Sequence, residues 1–344
     1  MLLKDHNAPH IKARETNRTV MGDAIIALLP LYLMAYYFYG LRALALGGVS
    51  VVTCVVADLL CVLLRGEKPN PRDFSPIVTG MIIPLMLPAN IDYAIVVIGG
   101  LFAILFVKQP FGGVGQNLFN PAAGAFALMA ISWPEKVFLY PEPLTRLAAF
   151  GETATKLTEG PAHALKLGGV PVINALDMIT GNFAGPMGAT NILVLATCLI
   201  YLIFRRTVSW QTPVTFLATS ALIAGLFPRV STGALNSVVL ELLSGTLMFG
   251  AVFLLTDPVT SPKRGLSKYI YGIVAAVVTM MFRRFGGYEQ TVMFAVLLMN
   301  ALAPVIDRLS ESILRILRRV HLEPRKRRNA RAPRRPQEKK AAQV

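Results

Sequence analysis

The chain has 344 residues, 54% of them apolar and 15% charged, with a formal charge of +15. Its mean hydropathy of +0.55 is high for a soluble domain. The charge argues against a soluble nucleic-acid binder once it is located, because residues 307–344 hold 13 Lys/Arg against 4 Asp/Glu. No nucleic-acid-binding motif accompanies this tail. A polytopic membrane protein in contact with a lipid bilayer fits the arithmetic. Cys54, Cys61 and Cys198 lie in apolar runs, and His6, His10, His163 and His321 are scattered, so no iron–sulfur, zinc or disulfide framework is outlined. A redox cofactor here is organic or comes from a partner.

A membrane-crossing helix needs roughly 20 apolar residues for about 30 Å of hydrocarbon. Ten runs qualify as candidates: 22–40, 43–65, 74–90, 91–108, 117–133, 188–205, 212–228, 234–256, 268–283 and 288–306. They divide the chain into an N-terminal segment 1–21, a first five-helix half 22–133, a loop 134–187, a second half 188–306 and a basic tail 307–344. The first run has no cleavage pattern after it and is not a secretory signal. In the tail, Arg315-Ile-Leu-Arg-Arg-Val continues a short amphipathic helix. Pro324 and Pro333 then punctuate a charge-dense segment expected to be disordered and to meet anionic headgroups.

Lys and Arg accumulate on cytoplasmic loops. Lys4, Lys12, Arg14 and Arg18 put the N-terminus inside. Alternation then places Arg65, Lys68, Arg72, Lys108, Arg205, Arg206, Lys263, Arg264, Lys268 and the tail inside, with 134–187 outside. Arg42, Arg229 and Arg283-Arg284 are exceptions on outer loops. Five runs on either side of a long outer loop imply two halves of opposite topology, which commonly break helices near the midplane. Gly115-Gln-Asn-Leu-Phe-Asn-Pro121 and Thr256-Asp-Pro-Val-Thr-Ser-Pro262 are the expected breaks, each pairing proline with capping side chains.

Several residues invite both a structural and a functional reading. Asp58 interrupts the run Val55–Leu64. An acid in hydrocarbon costs roughly 2.5–3.5 kcal/mol on insertion scales, so it faces protein, water or an ion. In Arg72-Asp-Phe-Ser-Pro76, either Asp73 or Ser75 caps a helix, or Asp73 serves a cation path or a partner contact. Asn117 and Asn120, among Gly112, Gly113, Gly115 and Gly124, either serve tight helix packing or hold a flat ring or a cation. Asp257, with Thr256, Thr260 and Ser261, is either a plain helix stop or a binder of a ribityl chain. Thr155 and its neighbours in Gly151–Thr158 are ordinary loop residues by chemistry alone, because no Ser–His–Asp pattern surrounds them.

Taken together, Pro9-His-Ile-Lys-Ala-Arg14, Arg72–Pro76, Lys108-Gln-Pro-Phe-Gly-Gly-Val-Gly-Gln-Asn-Leu-Phe-Asn-Pro121, Thr256–Pro262, Arg283-Arg-Phe-Gly-Gly-Tyr288 and Phe294-Ala-Val-Leu-Leu-Met-Asn300 resemble one family. It holds the D subunit of the Rnf ion-translocating ferredoxin:NAD oxidoreductase and the B subunit of the sodium-translocating NADH:quinone reductase. The similarity spans about residues 8 to 308. It implies an all-α fold of ten transmembrane helices in two inverted five-helix halves, similar to urea transporters, in the bacterial inner membrane.

The resemblance also implies FMN esterified through its phosphate to a threonine outside the cytoplasm, within Asp-x-x-Ser/Thr-Gly-Ala-Thr. Here Ala154-Thr155 takes the final two positions, while Ala149, Glu152 and Thr153 replace the Asp, Ser/Thr and Gly. The literal Gly188-Ala-Thr190 instead aligns with the start of the sixth span, where Thr190 is expected to cap a helix. Asn117, Asn120, Asp257 and Thr260 are expected near a flavin, which can include a second, non-covalent one such as riboflavin; Asp58 and Asp73 are expected on an ion path. The implied role is electron relay coupled to sodium or proton movement, in a complex with iron–sulfur and flavin subunits, and no catalysis alone. A cofactor-less scaffold or coupling subunit, and a solute channel of the same fold, remain the alternatives.

Overall fold

The computed structural model describes residues 17–330 apart from 69, 71, 114, 152–155 and 232, with side chains up to 316. The Pro9–Arg14 motif, Thr155 and Pro333 lie outside the described residues. The helices in chain order are α1 (Asn17–Tyr39), α2 (Leu41–Leu64), α3 (Ser75–Leu85), α4 (Tyr93–Phe102), α5 (Pro121–Ser132), α6 (Pro134–Val137), α7 (Pro161–Lys166), α8 (Ala175–Thr180), α9 (Ile192–Phe204), α10 (Gln211–Leu226), α11 (Ala234–Leu243), α12 (Leu247–Phe249), α13 (Gly265–Phe285) and α14 (Val292–Ala330). Two short strands, β1 (Tyr140–Pro141) and β2 (Leu157–Thr158), pair antiparallel within the long loop.

The protein is therefore all-α and polytopic. Every one of the ten apolar runs carries a helix, but they are not equal. Five helical stretches among the described residues are long and apolar enough to cross a membrane: Asn17–Tyr39, Leu41–Leu64, Tyr93–Phe111, Gly265–Phe285 and Val292–Ile316. Ala234–Leu243 and Leu247–Leu254 make a sixth only as a pair bent by 64°. Ser75–Leu85, Pro121–Ser132, Ile192–Phe204 and Gln211–Leu226 are shorter, because proline, asparagine and glycine cut their apolar runs.

Asparagine starts two of the short helices. Asn120 Oδ1 accepts the Ala123 N–H at 3.1 Å, with Pro121 in the first turn of α5, where its missing N–H costs nothing. Asn191 Oδ1 accepts the Val194 N–H at 3.0 Å and caps α9. This corrects the expectation for Thr190: the cap falls one residue later, where an amide oxygen reaches the third free N–H, and Thr190 itself is buried. Pro324 does not end the last helix either, since α14 keeps helical backbone through Ala330. Its Lys/Arg-rich composition supports helix on both sides of that proline.

Close helix contacts rest on glycine. A Cβ on Gly80 of α3 would lie 2.6 Å from Val51 Cα, and one on Gly272 of α13 would lie 2.8 Å from the Thr212 carbonyl, so α2–α3 and α10–α13 pack backbone to backbone. The two halves join where α1 packs on α9 and α5 packs on α14. Asp23 of α1 fastens the first of these seams by accepting from Arg205 Nε at 3.1 Å and Thr207 Oγ1 at 2.8 Å.

Three of the four exceptions in the charge pattern turn out to be internal ties, while Arg284 is exposed. Buried Arg42 donates to the Ala89 carbonyl at 3.0 Å and the Ile91 carbonyl at 3.2 Å, carbonyls left free where the chain breaks between α3 and α4. Arg283, also buried, donates to the Glu241 carboxylate and to the Ser244 carbonyl, both at 2.7 Å, at the bend between α11 and α12. Arg229 pairs with the same Glu241. These arginines are held by local carbonyls and carboxylates, so their position carries no information about sidedness.

Candidate cofactor and ion site

Both polar breaks follow a widened helical turn. A π-helical segment at Ala103–Lys108 precedes the glycine-rich insert, and another at Gly250–Leu254 precedes Thr256–Pro262. Such turns displace backbone from its usual register and recur at functional sites. Here they bring the two breaks against one cleft, a narrow cavity of about 90 Å³.

Asn117, Asn120 and Asp257 all line this cleft. Asn120 Nδ2 donates to Asp257 Oδ2 at 3.2 Å, and Thr260 Oγ1 donates to the same oxygen at 3.0 Å. The Val259 N–H donates to Asp257 Oδ1 at 3.2 Å. Burial pushes the Asp257 carboxyl above its ordinary range, and these three donors partly oppose it. Asn117 Nδ2 donates to the Phe119 carbonyl at 3.3 Å. The walls are apolar, with Val78, Ile82, Leu202, Val252 and Phe253 among them. Ser75 Oγ also lines the cleft and is buried with no hydrogen-bond partner among the described residues.

Sequence reasoning missed Asn300. Its Oδ1 accepts the Asn120 N–H at 2.9 Å and its amide faces the Tyr271 hydroxyl at 3.4 Å. The signal was a lone polar residue closing the apolar run Phe294–Asn300.

Asp58 and Asp73, 15 residues apart, meet on one cation. Lys108 Nζ lies 2.9 Å from Asp58 Oδ1 and 3.5 Å from Asp73 Oδ2, and its side chain is only 2% exposed. Gln109 also donates to Asp58. Asp73 Oδ1 accepts the Ser75 N–H at 2.9 Å at the start of α3, while Oδ2 faces Lys108. With two carboxylates and one ammonium, the cluster has a formal charge of −1. Lys108 also lines the cleft, which makes it the bridge between the two sets of residues.

Thr155 lies outside the described residues, but both its flanks are anchored. Upstream, Arg42 donates to the Gly151 carbonyl at 3.3 Å, Phe150 stacks on Tyr93 with centroids 5.7 Å apart, and the Tyr93 hydroxyl donates to the Ala149 carbonyl. Downstream, Lys156 pairs with Glu142 at 2.9 Å, and Leu157–Thr158 pairs with β1.

The fold and site together define a polytopic helical membrane protein with a polar cleft where two helix breaks converge, beside a buried ionic cluster. Residues 4–313 match the model of the NQR2, RnfD, RnfE family, and the chain belongs to that family. It is 35% identical over 308 residues to the D subunit of the Na(+)-translocating ferredoxin:NAD(+) oxidoreductase complex of Acetobacterium woodii, covering 89% of this chain and 92% of that one. It is 32% identical to the D subunit of the ion-translocating oxidoreductase complex of Halorhodospira halophila, covering 87% and 91%. Identity to the D subunit of the proton-translocating ferredoxin:NAD(+) oxidoreductase complex of Clostridium ljungdahlii is 29%, covering 89% and 94%.

Proposed function

We propose that this protein is the D-type membrane subunit of an ion-translocating redox complex, relaying electrons through flavin and coupling the relay to cation movement. Membership of the family supports the coarse role. The relatives differ in the ion their names carry, sodium in one and proton in another, so both ions stand as cargo. The proposed arrangement is ten transmembrane segments in two inverted halves, with both termini on the cytoplasmic side of a bacterial inner membrane. The bent pair Ala234–Leu243 and Leu247–Leu254 supports counting short and broken helices as segments. The burial of Arg42 and Arg283 supports the orientation by removing two of its exceptions.

The observation that carries the flavin reading is the donor set of the cleft. A flavin has a flat heteroaromatic ring, edged by carbonyl and N–H groups, and a polyhydroxyl chain. The cleft offers apolar walls, the Asn117 and Asn120 amides, the Asp257–Thr260 pair and the unpartnered Ser75 hydroxyl. These donor types match what a non-covalent flavin such as riboflavin would need, and the cavity of about 90 Å³ would have to widen to admit its ring. Thr155 is the proposed attachment point for FMN, on a segment held at both ends by Arg42 and β2.

A bound flavin supplies one- and two-electron transfer coupled to protons. The chain's own contribution is orientation, exclusion of water and transmission of charge. Asn117 and Asn120 orient a ring edge, while Val252 and Phe253 exclude water. Lys108 feels any change of charge in the cleft, and in a low-dielectric site that alters its hold on Asp58 and Asp73. Loosening Lys108 frees two carboxylates for a cation; tightening it expels the cation.

The test is flavin analysis of the complex purified after co-expression with its flavin transferase. Wild type is expected to carry a mass increment of one esterified FMN on this chain, absent in Thr155→Val. Acid-released flavin is expected to fall in Asn120→Ala and Asp257→Ala while the covalent increment stays. A complex with neither flavin on this chain would overturn the relay and favour the scaffold reading, to which Ala149, Glu152 and Thr153 in the attachment motif already lend weight.

A further inference from the structure

One buried carboxylate outside the cleft and the Lys108 cluster has no Lys or Arg partner among the described residues. Glu289 sits in the link between α13 and α14, at the other end of the 21-residue α13 from Asp257. Its side chain is 2% exposed, yet no Lys or Arg among the described residues pairs with it. Oε1 accepts the Tyr140 hydroxyl hydrogen at 2.7 Å, and the Gln290 amide donates to that same hydroxyl. Oε2 is buried with no hydrogen-bond partner among the described residues. An ionised carboxylate with one bare, desolvated oxygen is costly, whereas a protonated acid places its O–H there.

What faces the bare oxygen is an imidazole. His163 Nδ1 of α7 lies 3.7 Å from Glu289 Oε2, and its other nitrogen, Nε2, lies 3.2 Å from Glu159 Oε2. Glu159 is 57% exposed. The order from outside to inside is thus surface carboxylate, two-faced imidazole, buried carboxylate. The gap of 3.7 Å is somewhat under 1 Å beyond hydrogen-bonding range, roughly 3.0 Å. Small movement of the imidazole, or one intervening water, spans it.

We propose that Glu289 is a proton-binding site, filled from and emptied to the surface of the long loop through His163 and Glu159. In the loading step a proton from solvent passes by way of Glu159 to His163 Nε2. The proton already on Nδ1 moves to Glu289 Oε2, which returns the imidazole to neutrality, and ring reorientation then restores an N–H facing Glu289. One proton leaves solvent, one carboxylate is neutralised, and no other bond changes. The imidazole serves because its two nitrogens can accept on one side and donate on the other.

The surroundings tune the site rather than fill it. Burial pushes the Glu289 carboxyl up to about 7, opposed by the Tyr140 hydrogen bond and by the charges of Lys166 and Arg283, and reinforced by Glu159. Lys166 is occupied with the Gly287 carbonyl, and Arg283 with Glu241 and Ser244. Neither is an ion-pair partner that would hold Glu289 permanently charged. The proposal does not depend on a flavin in the cleft.

The experiment is infrared difference spectroscopy of the purified complex between acid and alkaline buffers. The carbonyl stretch of a protonated carboxylic acid should vanish with a midpoint near 7 and be missing from the Glu289→Gln difference spectrum. After a pH jump, His163→Asn should retain the band but form it at least roughly tenfold more slowly. Where Glu289→Gln fails to assemble, Glu289→Asp keeps an acid at altered reach and should move the midpoint. A band that persists unchanged in Glu289→Gln, an unmoved midpoint in Glu289→Asp, or no titrating carboxyl in wild type between about pH 5 and pH 9 would overturn the site. An unchanged rate in His163→Asn would overturn the route.

Discussion

Lys108 and Asp58 form a buried ion pair, 2.9 Å from Nζ to Oδ1, between the widened turn that ends α4 and the C-terminal half of α2. The pair joins two regions with little else in common: the face of α2 bearing Asp58 and the cleft wall that Lys108 shares with Asn120 and Asp257. Removing the ammonium leaves two carboxylates without compensation. Lys108→Met is expected to lower stability by about 3–5 kcal/mol, the usual cost of orphaning a buried charge. Adding Asp58→Asn to it should restore a large part. Thermal unfolding of the purified complex, run as a double-mutant cycle, reads both values; additive losses would mean that the two residues are not coupled.

Asn300 holds the first break from the second half of the chain. Its replacement by Leu strands the buried Asn120 N–H and the Tyr271 hydroxyl, at a cost of about 1–3 kcal/mol. Because Asn120 also caps α5 and donates to Asp257, the cleft should loosen as well. A lower Tm together with less acid-released flavin is the expected pair of results. A lower Tm with full flavin content would separate Asn300 from the cleft.

Arg42 spaces three donors across Ala89, Ile91 and Gly151, a span that a compact ammonium cannot match. Arg42→Lys should free the upstream flank of the segment holding Thr155. Loss of one hydrogen bond, about 1 kcal/mol, raises local opening about fivefold. Tryptic cleavage after Lys156 should accelerate by that factor, and covalent flavin at Thr155 should decline. Cleavage at the wild-type rate would count against the anchor.

Glu289 gives stability a pH dependence of defined sign. Its carboxyl rises from an ordinary 4.5 to about 7 in the folded chain, so the folded state binds more protons across that interval. Stability should therefore fall as pH rises from about 4.5 to 7 and level off above, by at most on the order of 3 kcal/mol. Glu289→Gln is expected to flatten this part of the Tm profile and to raise Tm at alkaline pH. A profile that keeps its slope in the variant would assign the slope to other groups.

Much of the site was legible because its residues break a pattern. Asp58 stands out inside an apolar run, and Asn120 with Pro121, or Asp257 with Thr260, punctuates one. Lys108, Asn300 and Glu289 were not legible in the same way. Lys108 and Glu289 fall at the ends of runs, where a charged side chain is ordinarily solvated, and Asn300 looks like a plain polar residue on a helix. Their importance comes from partners 29 to 180 residues away. The arginines were misleading for the same reason, since Arg42 and Arg283 resemble loop charges but are buried against broken-helix carbonyls.

The sequence by itself determined the membrane, the ten apolar runs and the two polar breaks, because hydropathy, proline and asparagine act locally along the chain. Only the tertiary structure decided that the breaks share one cleft, that Lys108 ties Asp58 and Asp73 beside it, and that Glu289 faces His163. Each of those depends on helices packing closely enough to bring distant polar groups into a low-dielectric interior. There a charge must find a partner or a proton, and the packing settles which.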